Sequence, residues 1–219
     1  MKKLVIFGIG EQAEMAYYYF KHDSDYEIIA FTVDKEFITK RTLFDLPVID
    51  FSIIDKMYPK EKNVLFIAVG YNKVNALRTE KYLAAKNKGY EIVSYVSSKA
   101  SIFTDCIGEN CFILEDNTLQ PYVQIGNNVT LWSGNHIGHH STIKDNCFIT
   151  SHVVVSGGVE VGENTFIGVN ATLRDHIKIG KSNVIGAGAL ILSDTEDNKV
   201  YMEKETGASK VPSNRLRGI

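Results

Sequence analysis

Fourteen six-residue repeats run without an insertion from Ile107 to Leu190. Each opens with an aliphatic residue, from Ile107, Ile113 and Leu119 through to Ile185. The fifth place of the hexad is mostly small or β-branched, as at Cys111, Val123, Ser141, Thr165 and Ala171. A period of six fits neither an α-helix nor an alternating hairpin sheet. It fits a parallel β-helix, in which each hexad makes one short strand and one corner. A second period lies over the first. Gly108-Glu109-Asn110, Gly126-Asn127-Asn128, Lys144-Asp145-Asn146, Gly162-Glu163-Asn164 and Gly180-Lys181-Ser182 recur every 18 residues. Gly and Asn tolerate the left-handed backbone that a tight corner requires. Three hexads per coil predict a triangular prism with this turn stacked along one edge.

Residues 1–95 do not follow the hexad. Apolar runs at Lys3–Phe7, Glu27–Val33, Asn63–Val69 and Glu91–Tyr95 read as strands. Glu11–Lys21 reads as a helix with Ala13, Ala16, Tyr17 and Phe20 on one face, and Ser52–Met57 as a short one. Lys73–Lys86 reads as a third helix, with Val74, Leu77 and Leu83 inward. Strands alternating with helices predict a small parallel α/β sheet. The chain therefore divides into residues 1–95 and a repeat domain over 96–219. After Leu190 the sequence turns polar and predicts loops, with a short strand at Lys199–Met202.

The 219 residues carry a net charge of −2 and no basic run, which argues against nucleic acid as a partner. No apolar run is long enough to span a bilayer, so membrane insertion is not expected, and the reading is a cytoplasmic protein. The three cysteines, Cys106, Cys111 and Cys147, form no CxxC pair. Cys111 and Cys147 take the small inward place of their hexads and read as buried thiols.

Two constellations suggest chemistry. Gly8-Ile9-Gly10-Glu11-Gln12-Ala13 matches G-x-G-x-x-A between a strand and a helix. Such a turn lets a phosphate approach the helix N-terminus. Asp34 ends the second strand, where a carboxylate can accept hydrogen bonds from a ribose or base, and Tyr71-Asn72 follows the third strand at the same edge. Three readings stand: a dinucleotide, a single nucleotide or nucleotide-sugar, and a turn that binds nothing. The short sheet favours the single nucleotide or nucleotide-sugar. The second constellation is His136, His139, His140 and His152, with Trp132, the only tryptophan, just upstream. Eighteen residues make one coil, so His139 stacks beneath Gly157. An imidazole there is a candidate base and the Gly157 N–H a candidate oxyanion donor. Solvated corner residues are the plain alternative. A metal site is disfavoured, because adjacent strand residues such as His139 and His140 point to opposite faces.

With these motifs quoted, the chain resembles the bacterial sugar acyltransferases that join an N-terminal Rossmann-like domain to a left-handed β-helix. These include sialic-acid O-acetyltransferases and the N-acetyltransferases of nucleotide-linked 4-amino sugars. The most specific stretches are Asn135 to Ile143, Val155 to Val159 and Phe166 to Ala171. The resemblance implies a left-handed parallel β-helix, acetyl-CoA as cosubstrate and a nucleotide-sugar acceptor. It also implies a homotrimer with each site in a groove between neighbouring β-helices. By resemblance His139 is the catalytic base and Gly157 the oxyanion donor. Gly157, Gly168, Val169, Asn170, Gly186 and Ala187 line the coenzyme arm, and Gly8, Gly10, Asp34 and Tyr71 hold the nucleotide-sugar. Some relatives carry an acidic residue after the histidine. Here it is His140, a further catalytic candidate, and the partner that orients His139 stays open. The tail Val211-Pro212-Ser213-Asn214-Arg215 matches the family's ending only loosely.

The sequence thus leads to an acetyltransferase acting on the 4-amino group of a nucleotide-linked deoxy-sugar, with no metal. O-acetyl transfer to a sugar or sialic-acid hydroxyl is the alternative. A non-catalytic, nucleotide-binding trimeric assembly protein is the alternative from another class. An apolar face of stacked hexads must be covered, and Trp132 and Phe148 are candidates for contact with a neighbouring copy, with stacking of Phe148 on Phe166, one coil apart, as the alternative for Phe148.

Overall fold

The computed structural model describes residues 2–204, 207, 208, 210 and 215. Val211 to Asn214, the tail read above, lie outside the described residues. The repeats wind into a left-handed parallel β-helix of triangular section. Its first face has seven two-residue strands, among them Phe112–Ile113, Thr130–Leu131, Phe148–Ile149 and Phe166–Ile167. The second face has six, including His136–Ile137 and Val154–Val155, and the third has four. The aliphatic residue that opens each hexad is the second residue of a strand and points inward. Ile113, Leu131, Ile149 and Ile167 stack on one another this way, and with the small inward residues Cys111, Cys147, Val153 and Ala171 they form one dry core. Cys106 is exposed.

Every corner passes through a residue at positive φ. On the edge between third and first faces these are Asn110, Asn128, Asn146 and Asn164, at φ of 53° to 64°. Their side chains continue the stack: Asn110 donates to Asn128 Oδ1 at 2.7 Å and Asn128 to Asn146 Oδ1 at 2.8 Å. The 18-residue turn is therefore both a conformational and a hydrogen-bonding necessity.

The N-terminal domain is a sheet of β1 (Lys3–Phe7), β2 (Glu27–Val33), β3 (Thr42–Leu43), β4 (Leu46–Asp50) and β5 (Asn63–Ile67), in the order β3-β4-β2-β1-β5. Helices α1 (Glu11–His22), α2 (Ile54–Met57) and α3 (Ala76–Asn87) pack around it. The hairpin β3-β4 was missed by periodicity because it is short and interrupted by Phe44 and Asp45 at positive φ. Glu91–Tyr95 is not a fourth sheet strand. Ile92 makes one bridge to Leu65, and Tyr95–Val96 instead pairs with Phe112–Ile113 as a strand of the β-helix. Lys199–Met202 contains the expected strand, Val200–Tyr201.

The third helix starts later than its sequence suggests and turns a different face inward. Lys73, Val74 and Asn75 all have positive φ, so the helix begins at Ala76. Leu83 is exposed, whereas Arg78, Tyr82 and Ala85 are buried. Arg78 is the reason. Its guanidinium crosses to the first face of the β-helix and donates to Thr130 Oγ1 at 2.7 Å, the Asn146 carbonyl at 2.8 Å and the Cys147 carbonyl at 3.0 Å. It also lies over the Phe148 ring. Burial pushes its pKa down to about 10, still well above neutrality. Asn110 exchanges hydrogen bonds with the backbone of Ile67, and Tyr82 donates to Glu109. At the other end Asp23 accepts from Tyr95 Oη and the Ser98 N–H, which hold its carboxyl down at about 2.

This docking corrects the sequence reading of Phe148, which is buried under Tyr71 and Arg78 of its own chain and stacked on Phe166, and so is not free to cover a neighbouring copy. Trp132 packs against the N-terminal core and stays partly exposed. Replacing Arg78 with Met should keep the helix but leave the Asn146 carbonyl and the Thr130 hydroxyl unpaired between the domains, while the Cys147 carbonyl keeps the Thr130 N–H. The expected cost is about 2–4 kcal/mol, read from the denaturant midpoint.

Candidate active site

The glycine loop joins β1 to α1 as expected, but its two glycines serve different purposes. Gly8 has φ of 126°, and a Cβ there would come within 2.5 Å of the Ala68 carbonyl oxygen. Gly8 is required by strand packing. A Cβ on Gly10 would meet nothing within 4 Å. Gly10 caps α1 with no side-chain hydrogen bond, so the first turn of the helix opens on free space. That space is a cleft of about 880 Å³ between the carboxyl edge of the sheet and the β-helix. Gly8, Gly10, Asp34 and Tyr71 all line it, together with Trp132, Thr150, Ser151 and Val169 from the corner between first and second faces.

The cleft holds a residue that sequence reasoning missed. Lys81 of α3 pairs with Asp34 at 2.7 Å and with Glu80 at 2.8 Å. Burial opposes its charge, but the hydrogen bonds to Asp34 and Glu80 outweigh that and raise its pKa. Asp34 thus offers an acceptor with a cation beside it. No local signal links two residues 47 positions apart. Tyr71 is anchored by its ring against Phe148 and Phe166, at 5.0 and 4.8 Å between centroids.

The four histidines do not form one site. His136 points outward from the middle of the second face, and His152 lies on the first–second corner, its ring over Gly134. His139 and His140 lie together on the second–third corner, both exposed. A Cβ on Gly157 would fall 2.7 Å from Cε1 and 2.8 Å from Nε2 of His139, so glycine is needed for the imidazole to lie there. The Gly157 carbonyl accepts from His176 N–H, and its own N–H donates to no group among the described residues. At the same place in some turns that N–H is taken by a side chain, Asn127 N–H by Asp145, Lys181 N–H by Asp197 and His139 N–H by Gln120, whereas among the described residues it is free at Val169 and Ala187 as at Gly157. The uncommitted N–H of Gly157 beside an imidazole is a base and an anion donor in one place.

The expectation that His139 and His140 diverge is wrong. They belong to a turn, not a strand. His140 has φ of 58°, and this left-handed step swings its ring back until the two Nδ1 atoms are 3.1 Å apart. The His140 ring also lies on Tyr122, 4.6 Å between centroids. Among the described residues no cluster of three or more His, Cys, Asp and Glu could hold a metal ion.

Gly168, Val169, Asn170, Gly186 and Ala187 sit on the first–second corner, away from Gly157. Gly168 has a structural duty, since a Cβ there would lie 2.5 Å from the Ala187 nitrogen of the next coil. Val169 and Ala187 are exposed and their N–H groups make no backbone bond. Of these five only Val169 reaches the cleft. Within one chain, then, the cleft and the His139 corner stand at opposite ends of the second face. No helix among the described residues is long and apolar enough to cross a membrane.

Residues 122–157 and 158–193 each match the family "Bacterial transferase hexapeptide (six repeats)". No curated protein sequence gives a significant match. Among solved structures, the chain is similar to PerB from Caulobacter crescentus in complex with CoA and GDP-perosamine. Identity is 21%, covering 93% of this chain and 95% of that one, with a TM-score of 0.80. It is similar to the acetyltransferase domain of PglB from Neisseria gonorrhoeae, at 21% identity over 93% and 97% and a TM-score of 0.83. It is also similar to WeeI from Acinetobacter baumannii, at 17% identity over 91% and 96% and a TM-score of 0.67. Residues 122–193 thus match the bacterial transferase hexapeptide family model, and the chain as a whole has the fold of these three structures.

Proposed function

We propose that this protein transfers an acetyl group from acetyl-CoA to the 4-amino group of a nucleotide-linked deoxy-sugar. The observation that carries the reading is the His139 imidazole lying on Gly157, with the Gly157 N–H uncommitted beside it. In this reading residues 1–95 hold the nucleotide and residues 96–219 carry out the transfer. The nucleotide lies in the cleft, its phosphates at the open N-terminus of α1 past Gly10, with Asp34 and Lys81 as acceptor and donor for its polar groups. Tyr71 forms the wall towards the β-helix. The complex of PerB with CoA and GDP-perosamine supports this ligand class for the fold.

The chemistry asks little of the chain. The amine nitrogen bonds to the thioester carbon, and His139 Nε2 takes the proton it loses. The Gly157 N–H faces the carbonyl oxygen as it becomes anionic. The carbon–sulfur bond then breaks, and the thiolate leaves and receives a proton. The N–H groups of Gly157, Val169 and Ala187, with Gly168, Asn170 and Gly186 around them, form the wall for the coenzyme arm.

A homotrimer completes the site. The second face carries Val154 and Leu190 exposed, between the cleft at one edge and His139 at the other. Packing that face against a copy covers both side chains. It also brings the His139 corner of one chain to the cleft and first–second corner of the next.

The test is acetyl-CoA-dependent thiol release against UDP-, dTDP- and GDP-linked 4-amino sugars, with free sialic acid as a hydroxyl control. Turnover is expected with an amino sugar. Turnover on sialic acid alone would move the assignment to O-acetylation. No turnover and no coenzyme A binding by calorimetry would remove the enzyme. With the active acceptor, His139→Ala should lower kcat about 10²–10⁴-fold. Gly157→Ala retains the N–H but displaces the His139 ring, and should cost about 10²-fold while coenzyme A still binds. Lys81→Ala should raise KM for the nucleotide-sugar about tenfold with little change in kcat.

A further inference from the structure

We propose that His140 is a positioning residue that sets the tautomer of His139. The proposal rests on His139 being the base, as inferred above, and on one further observation. The Nδ1 atoms of the two rings face each other at 3.1 Å. Two nitrogens at that distance share one proton. If it sits on His139, Nδ1–H donates to His140, and His139 Nε2 carries the lone pair that a base needs. If it sits on His140, His139 accepts on Nδ1, and its own proton must be on Nε2, which then cannot accept another. Only the first arrangement is competent.

The surroundings hold the His140 ring in place. Its backbone is locked at φ of 58°, its N–H donates to the Pro121 carbonyl at 3.3 Å, and its ring rests on Tyr122. The preceding coil offers Gln120, which takes the His139 N–H, and Tyr122, whose ring lies on His140. The next coil offers Ser156, Gly157 and Gly158, with no charge. One coil further, His176 lies over Gly158, with Asp175 at 3.9 Å from its Nε2. No carboxylate hydrogen-bonds either ring of the pair among the described residues.

The shared proton also strengthens the base during the reaction. As His139 Nε2 gains a proton, the ring becomes cationic and its Nδ1–H a charged donor to His140. The bond is stronger in the product-like state than in the ground state, so it favours the transfer step.

The left-handed backbone selects the test series. Gly and Asn both tolerate this φ, and Asn or Asp places Oδ1 where His carries Nδ1. His140→Gly removes the acceptor, His140→Asn restores a neutral one, and His140→Asp restores an anionic one. We expect His140→Gly to lower kcat about 10- to 100-fold with KM for acetyl-CoA unchanged. His140→Asn should recover most of the loss. His140→Asp should recover it as well. Equal kcat for His140→Gly and wild type, or no recovery in a folded His140→Asn, would overturn the proposal. A readout without turnover separates this failure from failure of the proposed function. Nitrogen-15 shifts of the His139 ring in the intact protein should report the Nδ1–H tautomer, and the His140→Gly variant should shift the population towards Nε2–H. An unchanged tautomer in that variant would sink the idea even if the enzyme is active. A changed one would uphold it even if the acceptor is misassigned.

Discussion

The stack of inward aliphatic residues is the constraint on which the rest of the molecule depends. Ile113, Leu131, Ile149, Ile167 and Ile185 each cover the residue one coil earlier, so no single coil buries its apolar side without its neighbours. That requirement keeps the coil length at 18 residues and gives every corner residue a partner directly above and below. Strand positions also send side chains outward, as at His136, but backbone N–H groups leave the ladder at the corners. The proposed base and anion donor lie there, in a column one coil apart. Gly157 above His139 is such a column, and so are Gly134 with His152 and Gly158 with His176. The same packing that demands glycine for a close coil-to-coil approach leaves room for an imidazole when the next coil supplies one.

The second determinant is a buried cation. Arg78 carries its charge to backbone carbonyls on the first face, with no carboxylate bonded to it among the described residues. Carbonyl dipoles and the Phe148 ring take the place of a counter-ion. Around it, the Asn110 bonds to Ile67 and the aromatic layer of Phe66, Phe112 and Tyr95 seal the first face. This docking consumes the face that would otherwise seek a partner and leaves the second face open. It also sets the width of the cleft, because β1, β2 and α3 are held at a fixed height over Trp132, Thr150 and Val169.

Much of this was legible in the repeat. Inward positions, corner asparagines, buried Cys111 and Cys147, the pairing of His139 with Gly157 and the glycine loop all follow from local rules plus one period. The misreadings share a cause. Leu83 on α3, the strand at Glu91–Tyr95, and Phe148 follow local pattern in the sequence, whereas each is decided by contact between domains. Lys81 was invisible for the same reason. His139 and His140 were judged as strand neighbours, and only the φ of His140 makes them face one another.

The sequence alone determined the β-helix, its period, its core and the column in which a histidine meets a glycine. These are consequences of covalent spacing, and a regular repeat converts spacing into geometry without further information. The tertiary structure decided which face the N-terminal domain covers, which residues enclose the cleft and how the two imidazoles face each other. Those outcomes depend on side chains far apart in the chain and on one left-handed dihedral. They are settled by packing and hydrogen-bond direction, which residue order does not encode locally.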